Sequence, residues 1–164
     1  IWFNWISNQN HYINNIEKLG IPFTKKILLP DNFQEAHDLS VEKVKIVNSK
    51  LVNEQMIARF KELSKNNFSD NNFFIRPAKD LKDMKDEATQ QNNCVYKNYS
   101  EKYASGNTDI YFMRNTTNPN KSLVTVEVYK NKIRQMYQKG NKTVTNKQEK
   151  FLTLWEKQVI QKAA

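Results

Sequence analysis

The chain has 164 residues, 38% of them hydrophobic and 26% charged, with only 3 Gly, 4 Pro and one Cys. This composition excludes a tail or linker and suits one domain with its own core, and a lone cysteine excludes an internal disulfide. No apolar run approaches the roughly 20 residues of a membrane helix, and a formal charge of +9 favours a polyanionic partner, foremost nucleic acid, against the plainer reading of a solvated surface.

The expected setting is therefore the cytoplasm, since "IWFNWI" lacks the basic lead and small-residue cleavage site of a signal peptide. The sequence starts at Ile1 without Met, which is the mark expected of the C-terminal part of a longer protein.

Residues 2–19 space Trp2, Trp5, Tyr12, Ile16 and Leu19 as a helix that Gly20 ends, making 1–28 a helical lead-in. Trp2, Phe3 and Trp5 crowd its start, where they read as core or as a protein-docking edge. "IPFTKKILLPDN", with Pro22 and Pro30, is a connector with a short extended piece. Ser40 is the expected N-cap of a long helix, 40–64, whose apolar positions run from Val44, Val47 and Leu51 to Val52, Met56, Phe60 and Leu63.

"NNFSDNN" breaks that helix, and "FFIRP", closed by Pro77, predicts an edge strand. Asp80 caps the next helix, where alternating Lys and Asp suggest a solvated face. A short helix after Cys94 sets Val95, Tyr99 and Tyr103 on one side and ends at Gly106.

Three strands follow. "DIYFMR" sends Ile110 and Phe112 one way and Tyr111 and Met113 the other, and "SLVTVEVY" puts Val124, Val126 and Val128 on one face. In "KIRQMYQ" strict alternation groups Ile133 with Tyr137 and Arg134 with Met136. Lys130 and Asn131 form the tight turn between the last two strands. Thr145 and Gln148 spell a capping box for a closing helix with Phe151, Leu152, Trp155 and Val159 as its apolar stripe. The expected fold is one α+β domain: a small antiparallel β-meander of about three strands plus a possible edge strand, packed against several helices collected on one face.

In this order "LPDNFQEAHD", "FFIRPAKDLKDMKDEATQQNNCV", "YASGNTDIYFMR", "SLVTVEVYKNKIRQ" and the Trp155 helix resemble PcfJ-like proteins of conjugative plasmids and phages of Firmicutes. The resemblance covers about 29–157, and its most specific part is the succession Pro77, Glu87, Cys94, Val95, Tyr99 and Gly106. Many relatives carry His before this Cys, where Asn93 stands here. What the resemblance implies is a mobile-element context rather than an activity.

Charge placement supplies the rest. Residues 115–144 hold Lys121, Lys130, Lys132, Arg134, Lys139 and Lys142 against the single carboxylate Glu127, more than half of the net excess. Such a cluster suits phosphate contacts, with Tyr129 as a stacking platform and Tyr137 as a second one or as core. Catalytic alternatives centre on Cys94 with His37 as base, against which a packed hinge is the plainer reading of Cys94. Another is a nuclease set of Asp109, Glu127 and Lys130, whose last two are three apart and need a bulge to share a face. His11, His37 and Cys94 do not make a conventional zinc shell, and no cofactor loop is present.

The sequence thus reads first as a non-enzymatic accessory factor of a mobile element that binds DNA or a DNA-processing complex. The second reading is a protein-docking factor that blocks a host defence enzyme, and the third a Cys94-dependent enzyme.

Overall fold

The computed structural model describes residues 2–162, with side chains from Asn4 onward. The chain forms two compact units, Ile1–Leu51 and Val52–Ala164, and the boundary falls within one long helix.

The first unit holds α1 (Trp2–Lys18), α2 (Lys25–Leu28) and the beginning of α3 (Phe33–Leu63). Gly20, at φ +64°, makes the turn after α1 that a side chain would strain. Tyr12 and Ile16 are buried, and the Tyr12 hydroxyl donates to the Ile27 carbonyl at 3.0 Å. The connector contains α2 where an extended piece was expected, because Thr24 Oγ1 accepts from the Ile27 N–H and starts a turn.

The expected cap at Ser40 is corrected. α3 begins at Phe33, and Asn32 Oδ1 accepts from the Glu35 N–H at that end. Ser40 is instead a buried interior residue: its hydroxyl donates to the His37 carbonyl and accepts from Asn15. A hydroxyl can bond back to the preceding turn, so a serine before an apolar run is not proof of a helix start.

The second unit is built on a five-stranded antiparallel sheet in sequential order. Its strands are β1 (Phe68–Ser69), β2 (Phe73–Pro77), β3 (Asp109–Asn115), β4 (Val124–Tyr129) and β5 (Lys132–Tyr137). The helices are the end of α3, α4 (Leu81–Gln91), α5 (Val95–Ala104) and α6 (Asn146–Trp155). β2 is not the edge, because the two-residue β1 pairs outside it through Phe68↔Ile75 and Ser69↔Phe74. Asp70 Oδ1 makes that hairpin by accepting from the N–H groups of Asn72 and Phe73.

Helices lie on both faces rather than one. On one side Val124, Val126 and Val128 join Tyr111, Met113 and Ile75, and Trp155 meets Tyr111 edge-on with ring centres 4.8 Å apart. Trp155 also donates to the Asn66 carbonyl, and Asn66 donates to the Tyr111 hydroxyl, so the large rings bury no unpaired polar tip. α6 starts with the expected Thr145–Gln148 capping box.

The opposite face meets α4 and α5. Asp83 and Glu87, one helical turn apart on α4, reach Arg76 and Arg114 on β2 and β3. Only Lys82 and Asp86 form the solvated i,i+4 pair expected of this helix. The alternating charges of α4 thus divide between two faces.

Burial alone would raise the Asp83 carboxyl, but the two Arg76 hydrogen bonds at 2.7 and 2.9 Å and the guanidinium charge hold it below the ordinary value of 3.8. A depressed folded pKa adds stability that is complete above about pH 4 and drains away as pH falls toward the folded value. Asp83→Asn should therefore flatten the acid limb of a stability profile read by urea melts between pH 5 and 2, and an unchanged limb would contradict the assignment.

Candidate nucleic-acid interface and adjoining cavity

The β4–β5 turn is the tight one expected at Lys130 and Asn131. Lys130 and Asn131 both adopt left-handed backbone, with φ of 50° and 62°, the conformation a two-residue turn needs to match the twist of its strands. One residue on, the register shifts: Val128 pairs with Ile133 and Glu127 with Gln135, leaving Arg134 as the extra residue of a bulge.

The bulge corrects the predicted alternation. Ile133 and Met136 now share the valine face, while Tyr137 pairs with Thr125 on the other. It also turns Arg134 back toward the hairpin, with its guanidinium carbon 5.4 Å from the centre of the Tyr129 ring. Lys130 Nζ stands 5.3 Å from the same ring, and Lys132 is the register partner of Tyr129. The ring thus gathers two cations at the hairpin end by its π face.

Lys121, Lys139 and Lys142 form a second group, lining a groove of about 600 Å³ with Ser122 and Gly140. Gly140 and Asn141 take φ of 67° and 58° in the turn that carries these lysines back, closed by Gln138 N–H donating to the Lys142 carbonyl. Among the described residues, none of the five lysines Lys121, Lys130, Lys132, Lys139 and Lys142 is ion-paired. Arg134 has the one carboxylate contact, 3.8 Å from Glu127 Oε1.

Beside the hairpin lies a cavity of about 210 Å³ between α5 and the β3–β5 part of the sheet. Glu127, Gln135 and Tyr137 line it from the strands, and Asn93, Cys94 and Asn98 from the helix side. Glu127 is 5% exposed. Its Oε1 accepts from Thr108 Oγ1 at 2.9 Å, and its Oε2 is buried with no hydrogen-bond partner.

Cys94 overturns the packed-hinge reading, for it is exposed. It stands at the N-terminal boundary of α5 without capping it, and Asn93 Oδ1 takes the Val95 N–H instead. Replacing an exposed side chain without partners costs little, so Cys94→Ala should change stability by less than about 0.5 kcal/mol rather than by a core penalty. The thiol should titrate with Ellman's reagent in the native state, and one that reacts only after denaturation would overturn this.

His37 hydrogen-bonds His11 at 3.0 Å and Asp38 at 3.1 Å in the first unit. Asp109 and Glu127 do not converge. Register puts Asp109 with Val128 on the valine face, where its carboxylate pairs with Arg59, while Glu127 points to the α5 face. Burial raises the Asp109 carboxyl above its ordinary value despite Arg59. Among the described residues no three His, Cys, Asp or Glu side chains gather to hold a metal ion, and no helix is long and apolar enough to cross a membrane. Trp2 and Phe3 of the expected docking edge have side chains outside the described residues, and Trp5 is half exposed.

Sequence reasoning missed Asn93, Asn98, Gln135 and Thr125 as cavity residues. The available signal was Glu127 itself, a carboxylate set into a valine-rich strand with strands on both sides.

A family model described as PcfJ-like protein matches residues 9–152. The chain is 30% identical over 156 residues to "Uncharacterized protein Lin1253/Lin1744" of Listeria innocua, covering 92% of this chain and 34% of that protein. It therefore spans about a third of that relative's length. No solved structure matches.

Proposed function

The chain belongs to the PcfJ-like protein family, and on that premise we propose that it is a non-enzymatic accessory factor of a mobile genetic element that binds DNA through its basic hairpin and the neighbouring lysine groove. The mobile-element setting rests on the resemblance to plasmid- and phage-borne relatives. The DNA reading rests on one observation: the five lysines of hairpin and groove have no carboxylate partner among the described residues.

Unpaired exposed lysines bind a phosphate chain by releasing its counterions, and this needs no base contact. A carboxylate beside each would cancel the field and remove the reason to bind. The test is fluorescence anisotropy of a labelled duplex across a salt series. The reading requires affinity that falls linearly on a double-logarithmic plot; binding that ignores salt, or no binding at low salt, overturns it.

A further inference from the structure

We propose that the cavity beside the hairpin receives a single unpaired guanine, held through its N–H edge by Glu127; this rests on the nucleic-acid reading above and gives it a base preference. The starting point is an imbalance. Among the described residues, Glu127 Oε2 is the one buried carboxylate oxygen left without a hydrogen-bond partner, and Glu127 lines the cavity. Thr108 satisfies Oε1, and nothing satisfies Oε2. A buried oxygen with a free acceptor position favours whatever brings a donor to it.

The donor is neutral rather than cationic. Arg134 already stands 3.8 Å from Glu127 Oε1, so the charge of the site is offset and a second cation would repel the first. The lining is rich in carboxamides, with Asn98, Gln135 and Asn141 beside Glu127. Carboxamides donate and accept alike, which suits a planar heterocycle with both kinds of group on its rim. Tyr137 lines the same space, is 38% exposed, and among the described residues its ring has no aromatic or cationic neighbour, leaving a face for stacking.

Guanine is selected by its pairing edge. It presents the ring N1–H and the exocyclic N2–H side by side, two donors that a carboxylate can accept together. Adenine, cytosine and uracil set an acceptor beside their donor, and that lone pair would face the second carboxylate oxygen. Oε1 keeps an acceptor position beside Thr108, and rotation about the soft terminal torsion of the side chain presents both oxygens. Because the edge read is the one used in base pairing, the base must be unpaired, as in single-stranded DNA or a flipped nucleotide.

The experiment titrates GMP, AMP, CMP and UMP, with inorganic phosphate as control, into isotopically labelled protein, following the side-chain amides of Asn98, Gln135 and Asn141 by NMR. GMP is expected to shift them at concentrations at least about tenfold below those needed for the other three, and phosphate not at all. Glu127→Gln keeps an oxygen for Thr108 but offers one acceptor where the base needs two, and should erase the preference. The proposal is overturned if all four nucleotides act alike, if GMP moves only groove resonances as phosphate does, or if the preference survives Glu127→Gln. If that variant fails to fold, the four-way comparison on the native chain decides alone.

The two readings separate cleanly. A Lys132→Glu/Lys142→Glu protein should lose duplex affinity yet keep its GMP preference. GMP selectivity without any salt-dependent DNA binding would leave the cavity assignment standing and remove the polyanion one, and the reverse result would remove the cavity assignment.

Discussion

Replacing Glu87 with Gln should destabilise the fold by about 3–5 kcal/mol, the largest effect expected of any single polar substitution here. Glu87 is 1% exposed and Arg114 is 3% exposed, and they meet at 2.5 Å across the α4–sheet interface. The carboxylate is the shared acceptor of a network, taking Ser122 Oγ at 2.5 Å and Thr125 Oγ1 at 2.7 Å as well. An amide in its place keeps the shape but leaves the buried Arg114 guanidinium without its paired carboxylate, with Asp83 acting on it only through space. Desolvation of that charge is then uncompensated, which is why breaking a buried pair costs more than the pair contributes.

Urea denaturation of Glu87→Gln against the native chain reads the loss directly. Glu87→Leu combined with Arg114→Met removes both charges and should recover much of it, since two apolar side chains need no partner. A single variant within about 1 kcal/mol of the native chain would mean that water reaches Arg114 and the network is not a buried one. The same network fastens α4 to the central strands, next to the turn that sets Asn93 and Cys94 in the lining of the cavity.

Much of this architecture was legible in the sequence, and the misreadings share a cause. Asp80, Gly106, the Lys130–Asn131 turn and the Thr145–Gln148 box were readable because each acts within a few residues, through a cap or a backbone sign. The alternation of Ile110 to Met113 and of the three valines also held, since a strand paired on both sides has no freedom to slip. The residues of "IRQMY" alternate as well as those do, but the partner strand decides the register. The bulge at Arg134 is a property of the pair and leaves no mark in either strand alone.

β1 was missed because two residues have no period. Asp83 falls among the Lys and Asp residues expected to be solvated, because a carboxylate on a helix looks the same whether it faces water or an arginine from a strand folded later. Both groups of basic residues were legible as a charge total, but their division between hairpin and groove depends on the turn at Gly140 and Asn141, which brings Lys139 and Lys142 beside Lys121.

That division sets the second large effect. If all six cations engage a duplex, affinity should fall with salt with a logarithmic slope on the order of −5, since each neutralised phosphate contributes about −0.9. Reversing one residue of each group, Lys132→Glu with Lys142→Glu, removes two contacts and sets two carboxylates against the phosphates. Affinity at low salt should drop by roughly 10²-fold or more, and the slope should shrink by about 2. Neither side chain has a partner among the described residues, so the melting temperature should stay where it was. Single reversals discriminate further. If one phosphate path crosses both groups, Lys132→Glu and Lys142→Glu should each weaken binding and each lower the slope by about 1. If only the hairpin engages, Lys142→Glu should leave the slope near its native value, and the cations gathered by Tyr129 would then carry the interaction by themselves. Equal, slope-preserving losses from both variants would contradict direct phosphate contact altogether, because a residue that releases no counterion cannot change the salt dependence when it is removed.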